Sequence, residues 1–370
     1  MTHPDVAIVG GGVVGAACAY SLSRRDVRAA VLEAGPKPGA ATPASGGMLA
    51  PFAEAVAEDP LLALCVGARE YYNELSQILL DETGISIGLR TEGIVQVAFT
   101  EEEAHELRSA IAWQRQSGFA TEWLAEEDLR AQIPGLGPEV VGGALAPEDG
   151  GLEPVPLRDA LLAAAGQRGA AHETGISVQG LVVRDGRVVA LSTEDGQRPV
   201  GAVVVAAGAW SGRLEGLPRP LAVEPVRGQM AALPWPEGEP PAIVYGGSGY
   251  VLERGGEAIA GSTMERAGFA TGTTEEGLRQ VFRTMRRIFP ALTGKTVTRT
   301  WAGLRPGTPD GRPILGADPE IPNLWYATGH GRNGILLAGM TGELLAALYA
   351  GEELEHDLSA MDPTRFDQET

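Results

Sequence analysis

The sequence is poor in lysine, and it has no long uninterrupted apolar run. Lysine occurs only at Lys37 and Lys295, and 29 basic residues stand against 48 acidic ones, which gives a formal net charge of -19. Nucleic acids and anionic lipid surfaces bind clustered basic side chains, so we expect no nucleic-acid partner and no attachment to a membrane surface. Because no run of about 18 apolar residues occurs, we also expect no stable membrane insertion.

Cysteine is equally scarce, and histidine never occurs in a metal-ligand spacing. Cys18 and Cys65 both lie in apolar helical patterns, which predicts two buried thiols in a reducing compartment and not a disulfide. The five histidines are isolated from one another, so we expect no metal site. The N-terminus enters a strand without a basic segment or a cleavage signal, which predicts a cytoplasmic protein.

The first 33 residues carry a nucleotide-binding pattern. Residues 6–9 are four apolar residues that predict a buried strand, a helix of small residues follows, and residues 27–32 predict a second parallel strand. Gly10, Gly12 and Gly15 form G-x-G-x-x-G at the strand-to-helix turn, where a pyrophosphate can approach the backbone. Glu33 follows about 20 residues later, where an acid binds ribose hydroxyls. The pattern favours dinucleotide binding over a simple packing turn.

The remainder of the chain alternates between parallel and antiparallel patterns. Helices are predicted at residues 59–81, 101–117, 154–168, from 274 to about 287, and 335–349. Strands are predicted at residues 93–99, 176–183, 188–192, 202–206, 242–245, 250–253, 257–261 and 324–328. The fold class is therefore α/β: a discontinuous Rossmann-like domain (residues 1–87, 149–217 and 303–370) with an inserted α+β substrate domain built on an antiparallel sheet (residues 88–148 and 218–302).

A second turn distinguishes between FAD and a nicotinamide nucleotide. The apolar strand at residues 202–206 ends at Ala207 and Gly208, where the returning strand of an FAD fold meets its cofactor. No second G-x-G-x-x-G occurs for a nicotinamide nucleotide. The sequence therefore favours FAD, and the alternative is a strand end that needs a small residue.

The segment before the last helix could face the flavin. Gly329, Gly331 and Gly334 permit backbone turns, and the helix beyond them directs free N–H groups and a positive dipole end at the loop. Such an end could stabilise negative charge on a reduced flavin, and Arg332 would add a second positive group. An ordinary loop-to-helix junction is the alternative.

Two residues are candidates for binding a substrate carboxylate. Arg305 lies between Trp301 and Pro306 in an apolar, constrained stretch, where a guanidinium pairs best with a planar anion such as a carboxylate. An internal ion pair with an acidic side chain is the alternative. Tyr250 opens a predicted strand and could add a phenol to the same carboxylate, although a tyrosine at a strand start is also common in cores.

Five motifs together resemble the D-amino acid oxidase superfamily, and most closely its bacterial glycine oxidases of thiamine biosynthesis. They are GGGVVGAACAYSL, ASGGMLAPFAEA, VVAAGAWSG, WAGLRPGTPDGRPILG and ATGHGRNGILLA. The resemblance implies that Arg305 and Tyr250 hold the substrate carboxylate and that Arg332 lies near the flavin. It implies further FAD contacts at Val13, Val14, Ala34, Ala41, Thr42, Gly46, Gly47, Met48, Val178, His330, Gly331, Asn333, Gly334, Ile335 and Leu336. Both cysteines fall within the first 65 residues, so we expect FAD to be bound without a covalent bond.

The implied reaction is the oxidative deamination of glycine or of a small D- or N-methyl amino acid. A neutral amine lone pair can push the α-hydrogen to the flavin as a hydride without a side-chain base, and dioxygen would then give hydrogen peroxide, while the product is an oxo acid with ammonia or an amine. The alternatives are a D-amino acid dehydrogenase that passes electrons to a quinone or carrier, and a flavin-binding regulatory protein. The resemblance also implies a homo-oligomer.

Overall fold

The structure is a computed structural model that describes residues 3–53, 55 and 59–367. The strands are β1 (Val6–Val9), β2 (Ala29–Glu33), β3 (Met48–Leu49), β4 (Ile94–Ala98), β5 (Glu122–Ala125), β6 (Gly142–Ala146), β7 (Gly150–Gly151), β8 (Ala171–Thr174), β9 (Val178–Arg184), β10 (Arg187–Thr193), β11 (Gly196–Pro199), β12 (Ala202–Val205), β13 (Glu224–Pro234), β14 (Ile243–Gly246), β15 (Gly249–Arg254), β16 (Glu257–Gly261), β17 (Arg299–Gly307), β18 (Ile314–Ala317) and β19 (Leu324–Thr328). The helices are α1 (Val13–Ser23), α2 (Ala41–Ala44), α3 (Pro60–Thr83), α4 (Glu101–Gln116), α5 (Glu126–Gln132), α6 (Pro154–Gln167), α7 (Glu275–Ile288) and α8 (Gly334–Ala350). Glu54 of the ASGGMLAPFAEA motif, and the ends of the predicted Rossmann-like domain at residues 1–2 and 368–370, lie outside the described residues.

Six strands form the nucleotide-binding sheet in the order β18-β19-β12-β1-β2-β8. β1 lies between β12 and β2, both parallel to it, and all four of its side chains are buried. Strands covered on both faces are apolar along their whole length, which explains why β1 and β12 show no alternation. β18 adds to the edge in the antiparallel direction. The predicted α/β class is confirmed.

Helices cover one face of this sheet, and a small three-stranded sheet covers the other. α1, α3, α6 and α8 pack against the side chains of Val6 and Ile8, whereas β9 and β10 pack against Ala7 and Val9. α1 and α8 approach closely because both carry small residues: a Cβ atom on Gly342 would lie 2.5 Å from the Ala17 carbonyl oxygen. The first and last helices of the chain therefore share one core.

By length and composition alone, the helix at residues 331–350 is long and apolar enough to cross a bilayer. It contains no uninterrupted run of 18 apolar residues, which is why the sequence predicts no membrane insertion. Of its most apolar window, 61% is buried within the protein, where the helix packs against α1 and α3. Glu343 interrupts the apolar pattern and pairs with Arg24 and Arg25. Burial inside the protein accounts for the apolar composition of this helix.

Eight strands form a second sheet in the order β17-β13-β16-β15-β14-β4-β6-β5. All neighbouring strands are antiparallel except β14 and β4. α7 lies across this sheet and buries Val281, Met285 and Ile288 against it. The predicted domain boundary between residues 302 and 303 falls inside β17. The boundaries of the two domains remain a prediction.

The five predicted helices form within a few residues of their expected bounds, and Asp59, Thr100 and Thr274 cap α3, α4 and α7. Six strands of the two large sheets were not predicted, namely β5, β6, β8, β13, β17 and β18. Outside these sheets, β11 and the short pair β3–β7 were not predicted either. The longest of them, β13 and β17, form the edge of the second sheet that faces the nucleotide-binding domain.

Candidate active site

The glycine-rich turn between β1 and α1 is closed by two contacts that leave no room for side chains. Gly10 has a φ of +110°, and a Cβ atom there would lie 2.5 Å from the Ala206 carbonyl oxygen. A Cβ atom on Gly15 would lie 2.0 Å from the Gly10 carbonyl oxygen. Gly12 differs, because a Cβ atom there would meet only the Thr42 hydroxyl, at 3.4 Å. The backbone at Gly12 therefore faces open space at the positive end of α1.

Glu33 lies at the end of β2, beside this turn. Its carboxylate accepts hydrogen bonds from the Gly11 N–H at 2.6 Å and from the Gly35 N–H at 3.3 Å. On the other side of the turn, the Val13 N–H donates to the Thr42 hydroxyl at 3.0 Å. The backbone thus orients the carboxylate at the position where ribose hydroxyls bind in dinucleotide folds.

One cavity of about 1480 Å³ runs from this turn to the second sheet. It exceeds the volume of about 300–1,000 Å³ that is common for small-ligand sites, so it can hold a dinucleotide together with a small substrate. Five basic residues line it, Lys37, Arg158, Arg213, Arg305 and Arg332, against three acidic ones, Glu33, Asp159 and Glu215. In a chain with a net charge of -19, this local basic excess favours anionic ligands.

Most of the residues predicted to bind the cofactor or the substrate line this one cavity. They are Gly10, Gly12, Val13, Val14, Glu33, Ala34, Ala41, Thr42, Gly46, Met48, Val178, Ala207, Gly208, Tyr250, Arg305, His330, Gly331, Arg332, Gly334 and Ile335. Four others do not line the cavity: Gly15, Gly47, Asn333 and Leu336. Gly15 and Gly47 contact the backbone of Gly10 and Leu152, and Leu336 is buried in α8.

The contrast between Gly12 and Gly15 gives a first prediction. Gly12→Ala places a methyl group on the cavity wall with no clash in the protein, so we expect a folded protein whose flavin content falls at least about tenfold. Gly15→Ala forces the turn apart, so we expect it to unfold at a lower temperature. Visible flavin absorbance and thermal unfolding of the purified variants check both. A Gly12→Ala protein with its full flavin content would contradict the placement of the dinucleotide.

Arg305 and Tyr250 converge at the second-sheet end of the cavity. The Arg305 guanidinium donates from Nη1 to the Thr263 carbonyl oxygen at 3.2 Å and from Nη2 to the Ser262 hydroxyl. Tyr250 is paired with Gly261, the residue before Ser262, and a Cβ atom on Gly261 would lie 3.1 Å from the Tyr250 hydroxyl. A charged donor and a phenol therefore line the same end of the cavity, held by consecutive residues 261–263, which suits a carboxylate ligand.

Apolar side chains surround the phenol of Tyr250. Its ring lies 5.5 Å from that of Tyr245, and its hydroxyl lies 3.7 Å from the Met230 sulfur. Both tyrosines belong to a buried cluster on which Met48 and Ala53 also pack. This apolar surface keeps water from the Tyr250 side of the site, which strengthens an ion pair formed at the half-buried Arg305 relative to one on the protein surface.

The turn before α8 reaches the same cavity from the nucleotide-binding sheet. His330 is buried, and its Nε2 atom lies 3.0 Å from the Thr341 hydroxyl. Burial lowers the pKa of His330 to about 4. The imidazole is therefore neutral near neutral pH, and the positive groups at this end are the α8 N-terminus and Arg332, whose side chain is exposed.

The buried imidazole of His330 gives a second prediction, which concerns how the free energy of unfolding depends on pH. The folded-state pKa of about 4 lies below the ordinary histidine pKa of 6.5, so the unfolded chain binds a proton first as the pH falls. The stabilisation is complete above pH 6.5 and is lost as the pH falls towards about 4, by up to about 3 kcal/mol. We expect His330→Gln to flatten this fall in urea unfolding, and the exposed His105→Gln to leave it unchanged. Equal pH dependence in the two variants would refute the prediction.

Several wall residues escaped the sequence analysis. Ser262 and Thr263, which hold Arg305, follow a strand that was predicted, but nothing in their local pattern links them to residue 305. Tyr245 and Gln96 also line the cavity. Gly228 could have been predicted, because a glycine within a strand often marks a place where another group approaches the backbone closely. Here that group is the Arg305 guanidinium: a Cβ atom on Gly228 would lie 2.2 Å from Nη1.

Comparison with known proteins agrees with this geometry. The sequence profile described as FAD dependent oxidoreductase matches residues 5–348. The chain is 35% identical over 370 residues to the glycine oxidase of Geobacillus kaustophilus, covering 99% of the chain and 98% of that relative. The crystal structure of glycine oxidase from Geobacillus kaustophilus matches with a TM-score of 0.93 and 33% identity, over 99% of each chain.

A further relative is longer than this chain. The bifunctional protein ThiO/ThiG of Synechocystis sp. is 36% identical over 372 residues, which cover 99% of the chain but 54% of that protein. The chain thus spans about half the length of this curated relative and almost the whole length of the Geobacillus one.

Proposed function

The chain belongs to the FAD dependent oxidoreductase family, and from that premise we propose that it catalyses the oxidative deamination of glycine. In this reaction glycine loses two electrons and, with water, gives glyoxylate and ammonia, while dioxygen gains the two electrons and becomes hydrogen peroxide. FAD is the cofactor of the family. The glycine oxidase similarity, and the name of the ThiO/ThiG relative, support a role in thiamine biosynthesis.

The observation that carries the proposal is the position of Arg305 on the wall of the cavity that begins at the glycine-rich turn. A dinucleotide on that turn and a carboxylate on Arg305 would occupy one continuous space. Apolar side chains line the Tyr250 side of this end of the cavity. Such an end suits a small anion with little hydrocarbon attached.

The residues of the chain would bind and orient the substrate. Arg305 would hold the carboxylate by two charge-assisted hydrogen bonds, and Tyr250 would donate its phenol to the same group. FAD, when bound, supplies an acceptor for two electrons. Holding the carboxylate fixes the α-carbon in one position, and positioning of this kind provides much of the rate in a reaction that needs no side-chain base.

The remaining site residues have supporting roles in the proposal. The turn at residues 10–15, Glu33 and Thr42 would hold the adenosine and pyrophosphate, while the residues before α8 would lie at the flavin end. The α8 N-terminus would stabilise negative charge there through its unpaired N–H groups. No covalent attachment of the flavin, a homo-oligomer and a cytoplasmic location stay predictions.

Anaerobic mixing of the purified yellow protein with glycine tests the proposal. We expect loss of the visible flavin absorbance, and in air one hydrogen peroxide for each glyoxylate formed. Bleaching with far less peroxide than glyoxylate would favour a dehydrogenase that uses another electron acceptor. Persistent colour with glycine, sarcosine and a panel of D-amino acids would refute oxidation and favour a regulatory flavoprotein.

A further inference from the structure

A second cavity lies behind the substrate end of the first. Its volume is about 450 Å³, and it lies between α4 and the strands β4 and β6. Ala53 and Gln96 line both cavities, so they form the partition between them. Ala53 belongs to a short stretch, residues 52, 53 and 55, which we call the wall segment. The position of this segment therefore decides where the first cavity ends.

A buried carboxylate holds the N–H groups of the wall segment. Asp149 is fully buried, and its Oδ2 atom accepts hydrogen bonds from the N–H of Phe52 at 3.0 Å and of Ala53 at 2.9 Å. Burial raises the pKa of Asp149 to about 7, although both N–H donors and Arg69 act in the opposite direction. A carboxylate removed from water is costly unless donors surround it, so its two backbone bonds are central to its stability in this position.

Arg69 of α3 completes this side of the wall segment. Its Nη1 atom lies 3.5 Å from Oδ1 of Asp149, and its Nη2 atom donates to Glu148 at 2.9 Å. The guanidinium also lies over the Phe52 ring, 5.2 Å from its centroid. One buried cation thus contacts both the carboxylate and the segment that the carboxylate holds.

A buried amide holds the carbonyl groups of the same segment. Gln114 of α4 is 4% exposed, and its Nε2 atom donates to the carbonyl oxygens of Phe52 at 3.1 Å and of Ala55 at 2.8 Å. The segment therefore makes four hydrogen bonds to two buried side chains, one of which binds its N–H groups and the other its carbonyl groups. Phe119 adds a ring contact to Phe52 at 4.5 Å between centroids.

We propose that Asp149 and Gln114 are positioning residues, which fix the wall segment against the substrate end and thereby set the affinity of the site for a two-carbon carboxylate. The inference rests on the proposed function, because it takes the Arg305 end as the substrate end. Neither residue lines the first cavity, so both would act through Ala53. Release of the segment would join the two cavities and admit water beside Arg305.

Gln114→Met tests this, because methionine fills a similar volume but donates no hydrogen bond. We expect the KM for glycine to rise about 5- to 20-fold with kcat changed less than about threefold, since only positioning is lost. The dissociation constant of acetate, read from the flavin spectrum, should rise in parallel, and the amides of Phe52 and Ala53 should exchange faster with solvent. Gln116→Met, an exposed site on the same helix, is the matched control and should change none of these.

Substitutions of Asp149 provide a second test of the proposal. Asp149→Asn keeps an oxygen that can accept hydrogen bonds from the N–H groups of Phe52 and Ala53, so we expect slow amide exchange and a KM near that of the unaltered enzyme. Asp149→Ala removes this acceptor, so we expect faster amide exchange and a higher KM. Faster exchange in Gln114→Met with unchanged KM and unchanged acetate affinity would overturn the proposal. If glycine is not oxidised at all, the proposed function fails, but acetate binding and amide exchange still decide whether the wall segment is held for the site.

Discussion

Arg305→Ala is expected to raise the KM for glycine by about 30- to 1,000-fold, which corresponds to a loss of about 2–4 kcal/mol in binding. The physical reason is the loss of a charged, forked donor from a cavity end that apolar side chains line on the Tyr250 side. Water molecules in its place would donate neutral hydrogen bonds, which are weaker than the charge-assisted pair from a guanidinium. Steady-state kinetics over a wide range of glycine concentrations measures the effect.

Arg305→Lys separates charge from geometry. Lysine keeps the positive charge but not the planar pair of donors, so the increase in KM should be smaller than with alanine and still clear. Flavin content and thermal unfolding should stay close to those of the unaltered protein in both variants. An unchanged KM in Arg305→Ala would remove this residue from the substrate site.

Gly228→Ala is the second substitution with a large expected effect, although it changes no polar group. A Cβ atom at this position would lie 2.2 Å from Nη1 and 2.6 Å from Nη2 of Arg305. The obstructed atoms are the end of a flexible side chain, so the fold can accept the methyl group if the guanidinium moves away. We therefore expect the KM for glycine to rise at least about tenfold, while the free energy of unfolding changes by about 1 kcal/mol or less.

Gly272→Ala is the matched control for this experiment. Its Cβ atom would meet nothing within 4 Å, and the residue lies in the loop that Arg227 contacts through the Gly272 carbonyl oxygen. We expect its KM and its stability to match those of the unaltered protein. If Gly228→Ala also kept the original KM, the guanidinium orientation seen here would not be the one that binds substrate.

The nucleotide-binding half of the fold could be predicted because its signals are local. In β1 and α1, strand, turn and helix follow one another within 18 residues (6–23), and each glycine has a function in the turn itself. The apolar composition of β12 similarly requires cover on both faces. Where the environment of each residue is set by its neighbours in the chain, the local sequence pattern is enough to predict the secondary structure.

The strands β13 and β17 could not be predicted in this way. They contain arginine, glycine and proline, which are poor or neutral strand formers, and they form because they pair with each other across a long sequence separation. Val226 is paired with Arg305 in this ladder. The tertiary pairing outweighs the weak local preference, and no local pattern encodes it.

The candidate site shows the same division. The residue types at Arg305 and Glu33 indicated anion and ribose binding before any contact was known. The partners of Arg305 at Ser262 and Thr263, and its close approach to Gly228, depend on how three strands meet. The sequence predicts the chemistry of these side chains, whereas the fold determines what orients them.

The contact between α1 and α8 has a consequence for how the protein is made. α1 is synthesised long before the surface that covers it, which includes Gly342 against Ala17. Closing a loop of that length costs entropy that only the finished core can offset. A nascent chain that has not yet reached α8 therefore leaves α1 uncovered, so we expect stable FAD binding only after α8 has been synthesised.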